Sequence, residues 1–291
     1  MLTKINKIQY NLDQTFVHRN AFLHLCDFIY TKPGDSWCPE FSGQKSSFDN
    51  IYKNNVIFVT PHCINEFLEE AHPKINNQYI LITYCHGAVF DQRKYIDDPK
   101  ILAWFGAANR ESVTFEKFNV IPIGVFCNDE LFNNRADIND YIIKLKNENK
   151  NNLLYMNFAV HQNRDGVRDI IYNSFKDKQY CKTVTLTQTW RKPWKEYIKD
   201  VAQSKFVLSP LGDMCDCYRH WESMLLGSIP IIQNSPLNEI LSDLPAIAVD
   251  DFNVITEEFL NEKYIEMKNK QFNTQKLYMR YWSDLINGKK I

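Results

Sequence analysis

Short apolar runs alternate along the chain with segments whose apolar residues recur at helical spacing. Polar or turn-forming residues bound the apolar runs, a pattern typical of strands in a parallel sheet. These runs cover residues 55–59, 79–83, 119–124, 153–158, 183–186, 206–208, 229–232 and 246–249. The other segments predict helices over residues 11–30, 61–71, 98–104, 141–145, 167–175, 194–202, 257–270 and 274–285. This alternation predicts an α/β fold whose parallel sheets are covered by helices.

A change in composition divides the chain into two halves. Residues 133–150 are rich in Asn, Lys, Asp and Glu, and a second series of strands and helices follows them. We therefore predict two Rossmann-like domains, residues 1–145 and 146–291, each of ordinary domain size. Ligands of such sheets bind outside the carboxyl ends of the strands, so we expect the domains to face a cleft. The sequence leaves open a return of the C-terminal helices to the first domain.

Charge and composition limit the kinds of binding partner and the cellular compartment that we expect for the protein. The 291 residues carry 34 basic and 35 acidic side chains, for a net charge of −1. This balance disfavours nucleic acid or an anionic membrane as the main partner. The apolar runs are far shorter than the roughly 20 residues of a membrane span, and the N-terminus lacks the apolar stretch of a signal peptide. The eight cysteines show no zinc-ligand spacing. We expect a cytoplasmic protein with free thiols, and the sequence does not indicate its oligomeric state.

The stretch KFVLSPLGDMCDCYRHWESMLLGSIPII, residues 205–232, predicts a strand, a turn, a helix and a second strand. Asp213 or Asp216 can cap the helix at its start, and Gly227 stands where a helix ends. The N-terminus of such a helix carries partial positive charge and free N–H groups, which suit a phosphate. We therefore expect an anion site at this turn.

Two charged residues of this helix, Arg219 and Glu222, are three positions apart and share a face. Arg219 can hold a diphosphate, and Glu222 can accept hydrogen bonds from sugar hydroxyls. The alternative is an exposed ion pair on the helix surface, worth only about 0.3–0.5 kcal/mol.

A second polar loop follows the strand at 153–158. His161, Asn163 and Arg164 come at the carboxyl end of that strand, and Arg164 or Arg168 can contact a diphosphate or an acceptor. The alternative is a solvated connection without a ligand. Farther along, Trp194 fits a hydrophobic lid.

Two side chains after another strand can act as a general base, which takes a proton from a reacting hydroxyl. His86 and Asp91 directly follow the strand at 79–83 and are the candidates, although a single histidine at a strand end is more often structural. The chain has neither a Gly-x-Ser-x-Gly elbow nor a Walker-type phosphate loop, which disfavours hydrolase and P-loop functions.

Several of these motifs carry a family resemblance. The segments FVLSPLGD (206–213) and RHWESMLLGSIPI (219–231), with the tail LSDLPAIAVDDFNVIT (241–256), resemble exostosin-like (GT47-type) glycosyltransferases of the GT-B superfamily. The resemblance implies an acceptor-side first domain and a donor-binding second domain. It implies a nucleotide sugar as co-substrate, with no other cofactor and no metal. The donor-binding residues that it implies are Ser209, Gly212, Asp213, Arg219 and Glu222.

We therefore predict a glycosyltransferase that moves a sugar from a nucleotide-sugar donor to a glycan or glycoprotein acceptor. The alternative is a non-catalytic module that keeps the fold and binds a nucleotide or a sugar. The two differ in one observation, because a module would be stabilised by nucleotide but would form no product.

Overall fold

A computed structural model of the chain forms two compact units. It describes residues 1–33, 42–84, 94–108, 116–126, 136–160, 166–184, 193–212 and 214–288. The first unit comprises Met1–Ile123 and Tyr278–Ile291, and the second comprises Gly124–Leu277. The division therefore falls earlier than the boundary predicted at residue 145. The residues between the two positions include a helix that packs within the second unit, where Tyr141 donates a hydrogen bond to the carbonyl oxygen of Lys195 at 3.1 Å.

The described residues of the first unit form a seven-stranded sheet in the order β3-β1-β2-β4-β5-β6-β7. Strand β1 is antiparallel to both of its neighbours, and the remaining pairs are parallel. The strands are β1 (Leu2–Ile5), β2 (Phe28–Tyr30), β3 (Gly43–Lys45), β4 (Asn55–Val59), β5 (Tyr79–Thr83), β6 (Ile101–Gly106) and β7 (Phe118–Val120).

Two predictions in this unit are wrong. The helix predicted over 11–30 is limited to α1 (Arg19–Leu25), because Cys26 turns the chain into an extended conformation. The aromatic and β-branched residues that follow it form β2, which is buried between β1 and β4. The helix predicted over 98–104 is instead largely the inner strand β6, which lies between β5 and β7 and whose apolar residues run continuously rather than at helical spacing.

The helix predicted over 61–71 is irregular. A 3₁₀ turn (Pro61–Cys63) leads into the short α2 (Ile64–Glu66), and a π turn (Phe67–Ala71) follows it. The buried side chains of this segment pack against the sheet of the first unit, so it contributes to the core despite its irregular backbone.

The described residues of the second unit form a five-stranded sheet in the order β12-β11-β10-β8-β9, and every pair is parallel. The strands are β8 (Asn152–Met156), β9 (Cys181–Thr183), β10 (Ser204–Ser209), β11 (Ile229–Gln233) and β12 (Ile247–Val249). The helices are α3 (Ala136–Leu145), α4 (Val167–Phe175), α5 (Trp194–Ala202), α6 (Tyr218–Leu225), α7 (Asn238–Leu241) and α8 (Glu257–Asn269). The predicted α/β fold with mostly parallel sheets is confirmed.

The strand order of the second unit identifies a switch point. The chain leaves β8 toward β9 on one side and returns to β10 on the other side, so consecutive connections diverge between β8 and β10. In open parallel sheets, ligands bind in the crevice at the carboxyl ends of the strands that flank this point. A ligand site is therefore expected at the residues just after β8 and β10.

The C-terminal helix returns to the first unit. The helix predicted over 274–285 is a 3₁₀ turn (Thr274–Leu277) followed by α9 (Met279–Ile286). Met279 donates its backbone N–H to the carbonyl oxygen of Thr15 at 2.9 Å, and the Trp282 ring lies 6.4 Å from that of Phe22 in α1. Across the described residues, every helix is too short or too polar to span a membrane.

Candidate functional site

The start of α6 lies against the end of β10. The helix N-cap residue is Cys217, which has an extended backbone (φ −147°, ψ 151°). Asp216 therefore does not cap the helix as proposed, and its Oδ1 accepts a hydrogen bond from Trp221 Nε1 at 2.7 Å. Gly227 follows the last turn with φ 71°, as the predicted helix stop requires. Since Cys217 Sγ lies 3.4 Å from Ser209 Oγ, the positive end of α6 adjoins the carboxyl end of β10.

Arg219 extends from α6 to the end of β8. Its Nη1 donates to the carbonyl oxygen of Asn157, the residue after β8, at 3.1 Å. Its guanidinium carbon lies 5.6 Å from the centroid of the Phe158 ring. Its Nε and Nη2 are shielded from solvent and have no hydrogen-bond partner among the described residues. Buried N–H groups without a partner are rare and costly, so an anionic oxygen would be stabilised here.

Arg168 of α4 brings a second guanidinium to the same ring. Its Nε donates to the carbonyl oxygen of Leu211 at 2.8 Å, and its Nη1 donates to that of Ala159 at 3.0 Å. Its guanidinium carbon lies 5.8 Å from the Phe158 centroid. Arg168 thus ties the segment after β8 to the turn after β10, and it adds positive charge to the switch point.

Gly212 leaves the space that Arg168 occupies. A Cβ atom at this position would lie 2.8 Å from Arg168 Nη2, which is closer than real Cβ contacts. The guanidinium cannot retreat without breaking its two hydrogen bonds to backbone carbonyls. A side chain here would therefore displace the Arg168 guanidinium.

Glu222 is buried, with 2% of its surface exposed. Its Oε1 accepts from Trp194 Nε1 at 2.9 Å and from the backbone N–H of Phe126 at 3.3 Å, and its Oε2 accepts from the Tyr197 hydroxyl at 2.9 Å. Burial raises the pKa of Glu222, although these donors and Arg219 oppose that rise. The exposed ion pair that was the alternative for Arg219 and Glu222 is therefore not formed.

A buried chain of hydrogen bonds holds the backbone that receives Arg219. Asn157 Nδ2 donates to the Tyr155 hydroxyl at 2.8 Å, and that hydroxyl donates to Asp200 Oδ2 at 3.1 Å. Lys182 Nζ completes the chain with an ion pair to Asp200 Oδ1 at 2.9 Å. Burial raises the pKa of Tyr155 well above its usual range, so it stays a donor.

Four predicted site residues lie in the described part of the second unit. Ser209, Gly212, Arg219 and Glu222 all belong to the segment from β10 to α6 beside the switch point. The other predicted residues lie outside the described ones: Asp213, His161, Asn163, Arg164, His86 and Asp91.

Sequence reasoning missed several residues of this region. The Phe158 ring lies near two guanidinium groups, and the Tyr197 hydroxyl donates a hydrogen bond to Glu222. These contacts depend on strand order and helix packing, which no local sequence pattern reveals. Cys217 and His220 had a detectable signal, because residues three apart share a helix face and a cysteine beside a histidine is a known reactive pairing.

A doubly wound parallel sheet with a cationic switch point, as in this second unit, is the architecture of many proteins that bind phosphorylated ligands. Residues 144–285, just under half of the chain, match the family model described as the RXYLT1 C-terminal domain. This match confirms the resemblance to exostosin-like glycosyltransferases that the sequence predicts. The match supports glycosyl transfer in general.

Other comparisons gave weaker similarities. No curated protein matches the chain. A crystal structure of a glycosyltransferase from Rickettsia africae ESF-5 is 10% identical, covers 80% of this chain and 72% of its own, and gives a TM-score of 0.37. Sucrose-phosphate synthase from Thermosynechococcus elongatus is 12% identical, covers 80% of this chain and 73% of its own, and gives a TM-score of 0.38.

Proposed function

We propose that the chain transfers a sugar from a nucleotide-sugar donor to a glycan or protein-linked acceptor. The family match supports glycosyl transfer, and the switch point of the second unit supplies the chemistry that a nucleotide sugar needs. The donor would bind at the carboxyl ends of β8 and β10, with its diphosphate toward the start of α6.

The observation that carries this proposal is the pair of unpartnered N–H groups on Arg219. Nε and Nη2 of one guanidinium form a fork that matches two oxygens of a phosphate. Nη1 is already fixed on the carbonyl oxygen of Asn157, so the fork is held in place before a ligand arrives. The N-terminal turn of α6 adds N–H groups and partial positive charge beside it.

This arrangement suits the departure of a nucleoside diphosphate. Negative charge grows on the leaving group as the bond to the sugar breaks, and fixed donors stabilise that charge by a few kcal/mol. Arg219 and the helix N-terminus can supply this charge stabilisation, so the proposal requires no metal ion. Arg168, which also lies near the Phe158 ring, strengthens the same positive potential.

Glu222 retains one acceptor site for a sugar or ribose hydroxyl. A carboxylate offers about four lone-pair directions, and three donors already use it. Its contacts with α5 give it a positioning role for α6, and a contact with the donor stays a prediction. His86 and Asp91 likewise stay the predicted candidates for the base.

Thermal-shift titration with nucleoside diphosphates and with inorganic pyrophosphate tests the donor site. A specific ligand should raise the melting temperature by mass action, and one nucleotide should exceed pyrophosphate. Failure of every nucleotide to stabilise the chain would contradict the site. Transfer and donor hydrolysis are then measured with the nucleotide sugar of the preferred base, with and without a metal chelator. Binding without product would favour the non-catalytic module.

A further inference from the structure

A cluster of three reactive side chains lies at the start of α6. It consists of Asp216, Cys217 and His220, and nothing in the proposed transfer reaction requires a thiol. His220 is fully buried. Its Nδ1 lies 3.3 Å from Asp216 Oδ1, and its Nε2 lies 3.2 Å from the carbonyl oxygen of Ser209.

The partners of His220 determine its protonation state. Both ring nitrogens face oxygen atoms that can only accept, namely a carboxylate and a backbone carbonyl. A neutral imidazole has one N–H and can satisfy only one of them, whereas the imidazolium donates to both. The geometry therefore favours a positively charged His220, balanced by Asp216.

Cys217 is close to the positive charge of His220, whose backbone N–H donates to the Cys217 carbonyl oxygen at 3.0 Å. Its Sγ is 3.4 Å from the Ser209 hydroxyl, which can donate to a thiolate. Burial alone would raise the pKa of Cys217, but the charges of His220 and Arg219 and a hydrogen bond from Ser209 lower it. The N-cap position adds the positive end of α6. Burial lowers the pKa of His220, but Cys217 and Asp216 outweigh it and raise that pKa.

Exposure separates Cys217 from the other described cysteines. Cys217 is partly exposed, whereas Cys26, Cys63, Cys181 and Cys215 are buried. Burial also raises the pKa of Cys26 and raises that of Cys181 to about 11. Thiolate character and access coincide at Cys217, and these two properties select the cysteine that an electrophile modifies.

We propose that Cys217 is a nucleophilic thiolate beside Ser209 and His220, and a site of covalent modification by small soft electrophiles. With a haloacetamide, the thiolate sulfur attacks the carbon that bears the halogen, the carbon–sulfur bond forms, and halide leaves. The adduct stands at the start of α6 beside Arg219. If the proposed function holds, modification therefore closes the donor site.

The first test follows iodoacetamide labelling of the native full-length chain at each cysteine by peptide mass spectrometry, across pH of about 5 to 10. The labelling rate at Cys217 should titrate with a midpoint at least about one unit below the ~8.5 of an ordinary thiol. Cys181 is the internal control and should label slowly throughout. A Cys217 midpoint at or above that of an ordinary thiol overturns the proposal.

The second test asks whether His220 causes the effect. His220→Gln keeps a polar side chain but removes the cation, and it should raise the Cys217 midpoint by about one unit or more. An unchanged midpoint in a folded variant overturns the pairing. If this buried variant does not fold, the Cys217 midpoint of the natural chain is measured without alkylation. It is then taken from the ultraviolet thiolate absorbance of the natural chain minus that of Cys217→Ser. A difference signal that appears only above the ordinary thiol range is then the contradicting result.

A third arm separates this inference from the donor assignment. The nucleoside diphosphate that stabilises the chain most should slow the alkylation of Cys217, and alkylated chain should lose the nucleotide-induced rise in melting temperature. A low midpoint without either nucleotide effect supports the thiolate and contradicts the donor site. Nucleotide stabilisation with an ordinary midpoint supports the donor site and contradicts the thiolate.

Discussion

Arg219 donates from Nη1 to the carbonyl oxygen of Asn157 at 3.1 Å, which joins the helix after β10 to the end of β8. This bond crosses the switch point of the second unit and uses only one of the three guanidinium nitrogens. The other two are shielded and have no partner among the described residues. The bond therefore fixes a charged fork at the edge where parallel sheets bind ligands.

Removing that fork should weaken anion binding. Arg219→Gln keeps length and polarity but loses the charge and the paired donors. Hydrogen bonds to charged groups contribute about 1.5–3 kcal/mol, so we expect a loss of roughly 10- to 100-fold in nucleoside diphosphate affinity. Isothermal titration with the nucleotide chosen by thermal shift measures it.

The matched control for this variant is Lys263→Ala, which removes one positive charge from an exposed ion pair of α8 in the same unit. Its nucleotide affinity should equal that of the natural chain, apart from a small salt-dependent change. Equal affinity losses in both variants would mean that net charge alone, rather than the fork, attracts the ligand.

Gly212→Ala should destabilise the chain through Arg168. The added Cβ meets Nη2 at 2.8 Å and forces out a guanidinium that two carbonyl oxygens hold. Overpacking of this kind costs about 1–3 kcal/mol. Urea unfolding measures the cost, and the same substitution in an Arg168→Ala background is the control. The cost should largely disappear there, since the clash has no partner. An equal cost in both backgrounds would trace it to the backbone of the turn.

Local pattern was enough to predict much of the second unit. Helices α4 and α5 match their predicted bounds, because each has regular helical spacing and a clear start and end. The strand–turn–helix around Arg219 was also predicted, since turn residues and Gly227 mark its limits. In the first unit, the helix predicted over 11–30 wrongly included β2, because aromatic residues at near-helical spacing also suit a strand.

Long-range packing was not predictable in the same way. The sequence placed Arg219 and Glu222 on one helix face, but it did not show that one reaches Asn157 while the other is enclosed by α5. Those contacts depend on the strand order, which places β8 beside β10. Local spacing carries no information about that order, so a ligand contact was inferred for Glu222 where the structure shows internal donors.

Glu222 should stabilise the fold mainly as a hydrogen-bond acceptor, and its negative charge should contribute less. Glu222→Ala leaves the donors of Trp194, Tyr197 and Phe126 without their acceptor. Loss of one member of a buried polar network costs about 3–5 kcal/mol. Glu222→Gln retains an acceptor oxygen and should cost only about 1–2 kcal/mol. Chemical unfolding compares them.

The control for both is Glu266→Ala, which removes an exposed glutamate of α8 paired with Lys263 and should leave stability close to that of the natural chain. Glu222→Gln also tests the predicted donor contact. Unchanged nucleotide-sugar affinity in the folded variant would limit Glu222 to positioning α6, whereas a clear loss at similar stability would restore the contact.

Lys150 should make stability depend on pH in the alkaline range. Its Nζ donates to the carbonyl oxygens of Ala202 and Leu226, at the ends of α5 and α6, and to Ser228 Oγ, at 2.7, 2.8 and 2.8 Å. Burial lowers the pKa of Lys150 to about 8 from its ordinary 10.5. Between these values the unfolded chain binds more protons than the folded chain, so the contribution of Lys150 to stability rises with pH.

The measurement is the free energy of unfolding of the natural chain minus that of Lys150→Met, followed from neutral pH to about pH 10. Methionine keeps the length of the side chain but cannot titrate, so the titrations of other groups cancel in the difference. The difference should shift in favour of the natural chain as pH rises through the window from about 8 to 10.5. A shift in the opposite direction would mean that the three acceptors hold the proton more strongly than burial expels it, because the ammonium then donates three hydrogen bonds that the neutral amine cannot match.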